Sequence, residues 1–167
     1  MDSILVVSYS YTGVSRRAAQ LLASHHGWPL GQVEDLHRRA GASGTWRCVL
    51  DSLLSRRPRI RYAGPRPEDF RTVVLVAPIW MYRLAGPMRS FLHEHRLRRV
   101  AVVATMGSAG ASNAFAEVQR LTGKPPVATL ALTAREVETG SGTTRLLDMG
   151  ERLRPGHTAA RLSAAMG

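Results

Sequence analysis

Hydroxyl side chains gather at one place near the start of the chain. Ser10-Tyr11-Thr12-Gly13-Val14-Ser15 stands directly after the apolar run Ile4-Leu5-Val6-Val7 and directly before Arg16-Arg17-Ala18-Ala19-Gln20-Leu21-Leu22. The chemistry this suits is anion binding. A helix N-terminus presents unpaired N–H groups and a partial positive charge, so small hydroxyl residues feeding it make a cradle for a phosphate. The spacing excludes two common phosphate loops. A Walker loop needs Gly-x-x-x-x-Gly-Lys-Ser/Thr and a dinucleotide loop Gly-x-Gly-x-x-Gly, whereas this stretch has a single glycine and no lysine. The same hydroxyls have a second use, since Thr12 or Ser15 would cap a helix with no ligand present.

Two further stretches offer complementary chemistry. Pro78-Ile79-Trp80-Met81-Tyr82 supplies side chains for a flat apolar ring, and Thr105-Met106-Gly107-Ser108-Ala109-Gly110 supplies backbone N–H groups that glycine lets approach closely. Other chemistries fall away. Cys48 is the one cysteine, so there is no intramolecular disulfide and no multi-cysteine metal site. A Cys-x5-Arg phosphatase loop would need arginine where Leu54 stands. Gly110-Ala111-Ser112-Asn113-Ala114 lacks the second glycine of a hydrolase elbow. His93-Glu94-His95 and His25-His26 lie in helical segments where side chains one or two apart diverge, so they read as solvated helix ends and not as metal ligands. No catalytic acid, base or nucleophile and no metal is expected.

The elements that would position these loops follow from periodicity. Ile4 to Val7 reads as a buried strand and the next helix runs to about His26. Residues Gly27 to Leu36 read as a weaker strand at a sheet edge, with Pro29 at its beginning. Trp46 to Arg57 has one apolar face and Thr45 to cap it. Arg56 to Arg71, with Pro58, Pro65, Pro67 and six arginines, reads as an extended surface connection. Val73 to Ala77 is the clearest central strand, followed by a helix with Pro87 in its first turn that ends near His95. Val100 to Ala104 is a strand, Ala111 to Leu121 a helix, Val127 to Leu132 a fifth strand and Thr143 to Leu153 a helix. His157 to Ala165 forms a short terminal helix. Strands alternating with helices predict an α/β domain with a parallel sheet spanning residues 1–167. In such sheets ligands sit beyond the carboxyl ends of the strands where strand order reverses. The loops after Val7, Ala77 and Ala104 meet there.

The pattern Ser10-x-Thr12-Gly13-x-Ser15 resembles the first loop of the flavodoxin family, which wraps the phosphate of FMN. Val76-Ala77-Pro78-Ile79-Trp80 followed by Gly86-Pro87-Met88-Arg89-Ser90-Phe91-Leu92 is similar to that family's third-strand loop and following helix. The resemblance covers nearly the whole chain. It implies a three-layer sandwich around a five-stranded parallel sheet of order 2-1-3-4-5, with non-covalent FMN. It places the phosphate at Ser10 to Ser15 and the flavin ring between Pro78 to Tyr82 and Thr105 to Gly110. It implies electron transfer to a redox partner protein or to a small acceptor such as a quinone, and leaves room for a homodimer. An NAD(P)H-dependent FMN or quinone reductase keeps the same fold. Ile79-Trp80-Met81-Tyr82-Arg83 departs from the family, since many members carry a glycine whose peptide flips beside the ring. Entering positive φ is expected to be costly for these residues.

Composition bounds the rest. A chain of 167 residues, 44% hydrophobic, can bury one sizeable core, and its apolar runs are too short for a membrane span. A soluble cytoplasmic protein is expected. The net charge of +11 raises acidic partners or nucleic acid, as a flavin-free binding module would use. All but Lys124 of the 23 basic residues are arginine, scattered in pairs rather than set among aromatics, which makes nucleic acid the lesser reading.

Overall fold

The run Ile4-Leu5-Val6-Val7 leaves neither face for water. It forms β1 (Ile4–Ser8), the buried middle of the sheet in a computed structural model that describes residues 3–36, 57–107 and 109–154. After α1 (Val14–His26) the chain returns as β2 (Leu30–Asp35), parallel to β1. β3 (Ile60–Ala63) runs antiparallel to β2, and β4 (Thr72–Trp80) lies parallel to β1 on its other side, from Ile4 opposite Thr72 to Ser8 opposite Val76. A two-residue strand, β5 (Arg83–Leu84), folds back on the end of β4. Then come α2 (Gly86–Glu94), β6 (Val100–Met106), α3 (Ala111–Thr122), β7 (Ala128–Thr133), α4 (Ala134–Thr139) and α5 (Thr143–Leu153). Spatially the order is β3-β2-β1-β4-β6-β7, with β5 off this path on β4.

The five parallel strands keep the expected order, β2-β1-β4-β6-β7, but among the described residues the sheet has seven strands and is mixed. The connection expected over Arg56 to Arg71 contains β3, so β2 is not an edge. Its prolines flank the strand rather than interrupt it, and Ile60 and Tyr62 alternate with Arg61 and Ala63 to lay an apolar face on the core. The Tyr62 ring meets Phe91 with centroids 5.2 Å apart, its hydroxyl donates to the Pro65 carbonyl at 2.7 Å, and burial pushes the phenol up to about 12.

The pleat sends alternate residues to two helical layers. Leu5, Val7, Val73, Leu75, Val102 and Ala104 meet Met88, Phe91 and Leu92 of α2 and Ala114 and Val118 of α3. Ile4, Val6, Val74, Val76, Ala101 and Val103 meet Ala18, Ala19 and Leu22 of α1 and Leu146 and Met149 of α5. A slip of one residue in β1 would exchange the two sets, so the register is firmly set.

Helix α4 is not anticipated above. Its signature is a capping box, with the Thr133 hydroxyl accepting from the Glu136 N–H at 3.2 Å and the Glu136 carboxylate from the Thr133 N–H at 2.7 Å. The histidines at helix ends are not all solvated either. His26 is covered by Trp28, ring centroids 4.4 Å apart, and the His95 Nδ1 meets Glu68 Oε1 at 2.7 Å, which holds the Glu68 carboxyl below its usual range. The helix expected over Trp46 to Arg57, with Thr45 and Cys48, lies outside the described residues, as does His157 to Ala165. Among the described residues no helix is long and apolar enough to cross a membrane.

Candidate functional site

Strand order reverses between β1 and β4, and the loops that leave the carboxyl ends of β1, β4 and β6 gather there. The first loop is drawn tight by the Ser10 hydroxyl, which accepts from the Gly13 N–H at 2.9 Å. Gly13, not Thr12 or Ser15, is the N-cap of α1. Its φ of 100° is a conformation that side-chain-bearing residues rarely adopt, which accounts for glycine here. The first helical bond runs from the Arg17 N–H to the Gly13 carbonyl at 3.0 Å, so the amides of Val14, Ser15 and Arg16 precede it. The first turn holds no acidic residue, and Arg16 and Arg17 follow, both exposed. Cations there oppose the helix dipole by about 0.3–1 kcal/mol each, a cost that an anion at the amides reverses.

Thr12 is exposed, while Ser15 is buried and its Oγ lies 2.6 Å from the Thr105 Oγ1. That bond ties the first loop to the end of β6. The Ser15 hydroxyl therefore fastens two loops, while its backbone amide precedes the first helical bond.

The second loop is a hairpin rather than an open strand end. β4 continues through Pro78 and Ile79 to Trp80, turns at Met81 and Tyr82, and returns so that Ile79 pairs with Leu84 and Trp80 with Arg83. Met81 and Tyr82 have φ of 48° and 62°. Two central residues at positive φ make the primed turn that suits a tight hairpin, normally built from Asn and Gly. The cost expected for these residues at positive φ is thus already built into the fold, held by the strands on either side. Met81 and Tyr82 are 55% and 58% exposed, so their apolar surface faces outward at the crest. Trp80, half-buried, meets Tyr9 and Tyr11 edge to face at centroid distances of 6.2 and 5.6 Å.

Glu117, on α3, anchors this hairpin and was not singled out from the sequence. Its Oε2 accepts from the Leu84 N–H at 3.0 Å and its Oε1 from Arg83 Nη2 at 3.1 Å, with the buried Arg89 Nη1 at 3.6 Å. The signal was its place three residues after Ala114 and one before Val118, within the apolar stripe of α3.

The third loop leaves β6 after Thr105, which is buried, and Met106, which is half-buried; Gly107 is exposed and Ser108 lies outside the described residues. Gly110 caps α3 at φ 106° and touches the second loop, because a Cβ there would come within 2.9 Å of Tyr82 Cα. The three loops are therefore joined, the first to the third through Ser15 and Thr105 and the third to the second through Gly110 and Tyr82.

Neither protein-family models nor curated proteins give a match to this chain. Solved structures do. A flavoprotein from Lactobacillus acidophilus in complex with FMN is 18% identical with a TM-score of 0.68, over 84% of this chain and 99% of that one. A flavodoxin from the domain Archaea is 14% identical, TM-score 0.50, over 90% and 98% of the two chains. This chain has a flavodoxin-like fold. The same flavodoxin-like architecture occurs in the NAD(P)H:quinone oxidoreductase of Methanothermobacter marburgensis, 13% identical, TM-score 0.51, over 93% of this chain and 97% of that one. In this chain the described residues singled out from the sequence fall at the crest formed by β1, β4 and β6, Ser108 lying outside the described residues.

Proposed function

We propose that this chain binds FMN non-covalently at the three joined loops and works as a redox protein. The observation that carries the reading is the convergence of an anion-ready helix end at Gly13 to Arg16, an aromatic hairpin at Trp80 and a glycine-bearing loop at Gly110, all at the reversal of strand order. The amides of Val14, Ser15 and Arg16 would take the phosphate, with Arg16 and Arg17 supplying charge. Trp80, Tyr11 and Tyr82 would flank the ring, and the loop from Thr105 to Gly110 would close its other side. FMN, when bound, supplies the electron chemistry; the protein supplies orientation and electrostatics. No side chain is needed as a general acid or base. The fold's occurrence in an NAD(P)H:quinone oxidoreductase supports a second reading in which a nicotinamide reduces the flavin and a quinone accepts from it.

Absorbance of the purified protein, with chromatography of whatever a denaturant releases, tests the first reading. Released FMN supports it. A colourless protein that takes up no added FMN contradicts it and favours the flavin-free basic module. NADPH consumption with a quinone by the FMN-loaded protein separates reductase from carrier.

Trp80→Ala is expected to weaken FMN binding about tenfold or more and to brighten flavin fluorescence. An aromatic contact contributes about 0.5–1.5 kcal/mol beyond burial, and Trp80 makes two to its tyrosine neighbours. Were Trp80 only a lid on the core, thermal stability would fall with no change in flavin affinity.

A further inference from the structure

Away from the loops, α1 and α5 bring together three side chains that can ligate a metal. One atom from each of His25, His26 and Glu151 lies within 4.8 Å of the others. α1 spans 13 residues, so its last turn stands about 20 Å from the Gly13 end. The cluster is separate from the candidate flavin site.

His26 is the telling member. Its side chain is 1% exposed, and among the described residues neither ring nitrogen makes a hydrogen bond of good geometry, its polar neighbours being the Leu147 backbone and the Glu151 carboxylate. Nε2 faces the backbone of α5 at Gly150, where an added Cβ would come within 2.1 Å of it. Nδ1 faces Glu151, whose Oε1 is 3.4 Å away. That is long for a hydrogen bond. It matches the spacing of two ligands each about 2.1 Å from one tetrahedral ion, which stand roughly 3.4 Å apart. The His25 ring meets the His26 ring edge to face, centroids 4.8 Å apart, although adjacent side chains on a helix ordinarily diverge. A buried imidazole held only by such poor polar contacts is under-satisfied, and a metal at Nδ1 would satisfy that nitrogen.

We propose that His25, His26 and Glu151 form a binding site for a divalent transition metal of the zinc type, with water as a fourth ligand. Two imidazole nitrogens and one carboxylate suit zinc, whereas calcium and magnesium prefer all-oxygen sites. The cation already at Glu151 is Arg154, with Nη1 3.4 Å from Oε1. Both side chains are substantially exposed, so that pair is weak and the arginine can swing into solvent. A metal there would fasten the end of α1 to the end of α5 and so raise stability.

The test uses the full chain without an affinity tag, stripped with a chelator and titrated calorimetrically with zinc chloride. One zinc per chain, a raised melting temperature and the visible absorption of a tetrahedral site with cobalt in place of zinc are expected. His25→Ala and Glu151→Gln should each weaken zinc binding at least about tenfold, while leaving the melting temperature of the metal-free protein unchanged. Both substitutions are at exposed or half-exposed side chains, so the test does not depend on disturbing the buried His26. No saturable zinc binding, or undiminished binding by the double variant, overturns the site.

Discussion

Glu117→Ala is expected to destabilise the protein by about 3–5 kcal/mol, because breaking a buried, hydrogen-bonded ion pair by removing one partner is strongly destabilising. The Glu117 and Arg89 side chains are 6% and 3% exposed, and the carboxylate also receives the Leu84 N–H and Arg83. Its loss therefore acts on the core and on the hairpin together. Glu117→Gln keeps an oxygen for Leu84 but not the charge, and should lose about 1.5–3 kcal/mol. Denaturant unfolding measures both. If the hairpin positions Trp80 for the flavin, the glutamine variant, which remains folded, should also bind FMN more weakly. A glutamine variant as stable as the native protein would show that the buried charge cluster is not the anchor.

Gly110→Val should disrupt the candidate site from the opposite side. The native φ of 106° is denied to a β-branched residue, which costs about 1–3 kcal/mol. The added Cβ would also stand 2.9 Å from Tyr82 Cα, a backbone atom that cannot rotate aside. Overpacking of this kind adds about 1–3 kcal/mol. The Met81–Tyr82 turn must then move, and FMN affinity should fall more than tenfold. Gly107→Val is the control. A Cβ at Gly107 meets nothing within 4 Å, so thermal melting of that variant should be close to native. Equal losses of thermal stability for the two variants would mean that the contact between Gly110 and Tyr82 does not hold the loops together.

The centre of this fold is legible because its strands are buried on both faces. Ile4 to Val7, Val73 to Ala77 and Val100 to Ala104 have to be apolar throughout, and that leaves an unmistakable run. β3 is not legible, since four residues among prolines and arginines become a strand only where β2 offers a partner. The hairpin at Met81 and Tyr82 is hidden for a different reason. Its turn uses none of the residues that announce positive φ, and tertiary contact overrides their preference. Glu117 hides because its partners Arg83, Leu84 and Arg89 are distant in sequence, and a helical glutamate ordinarily faces water. The Thr133-x-x-Glu136 box of α4 starts a helix of only six residues, too short to show a periodic apolar stripe. The hydroxyls of the first loop carry a role that residue type does not announce: the Ser15 hydroxyl meets that of Thr105, at the end of a strand distant in sequence.

The most direct measurement is a titration of the apo-protein with FMN and, in parallel, with riboflavin, following flavin fluorescence. If the amides of Val14, Ser15 and Arg16 hold a phosphate beside an aromatic hairpin, FMN should bind one to one with quenched fluorescence. Riboflavin, lacking the phosphate, should bind at least about tenfold more weakly, the share expected of charge-assisted hydrogen bonds of about 1.5–3 kcal/mol. Equal affinity for the two flavins, or no saturable quenching by FMN, would contradict the account.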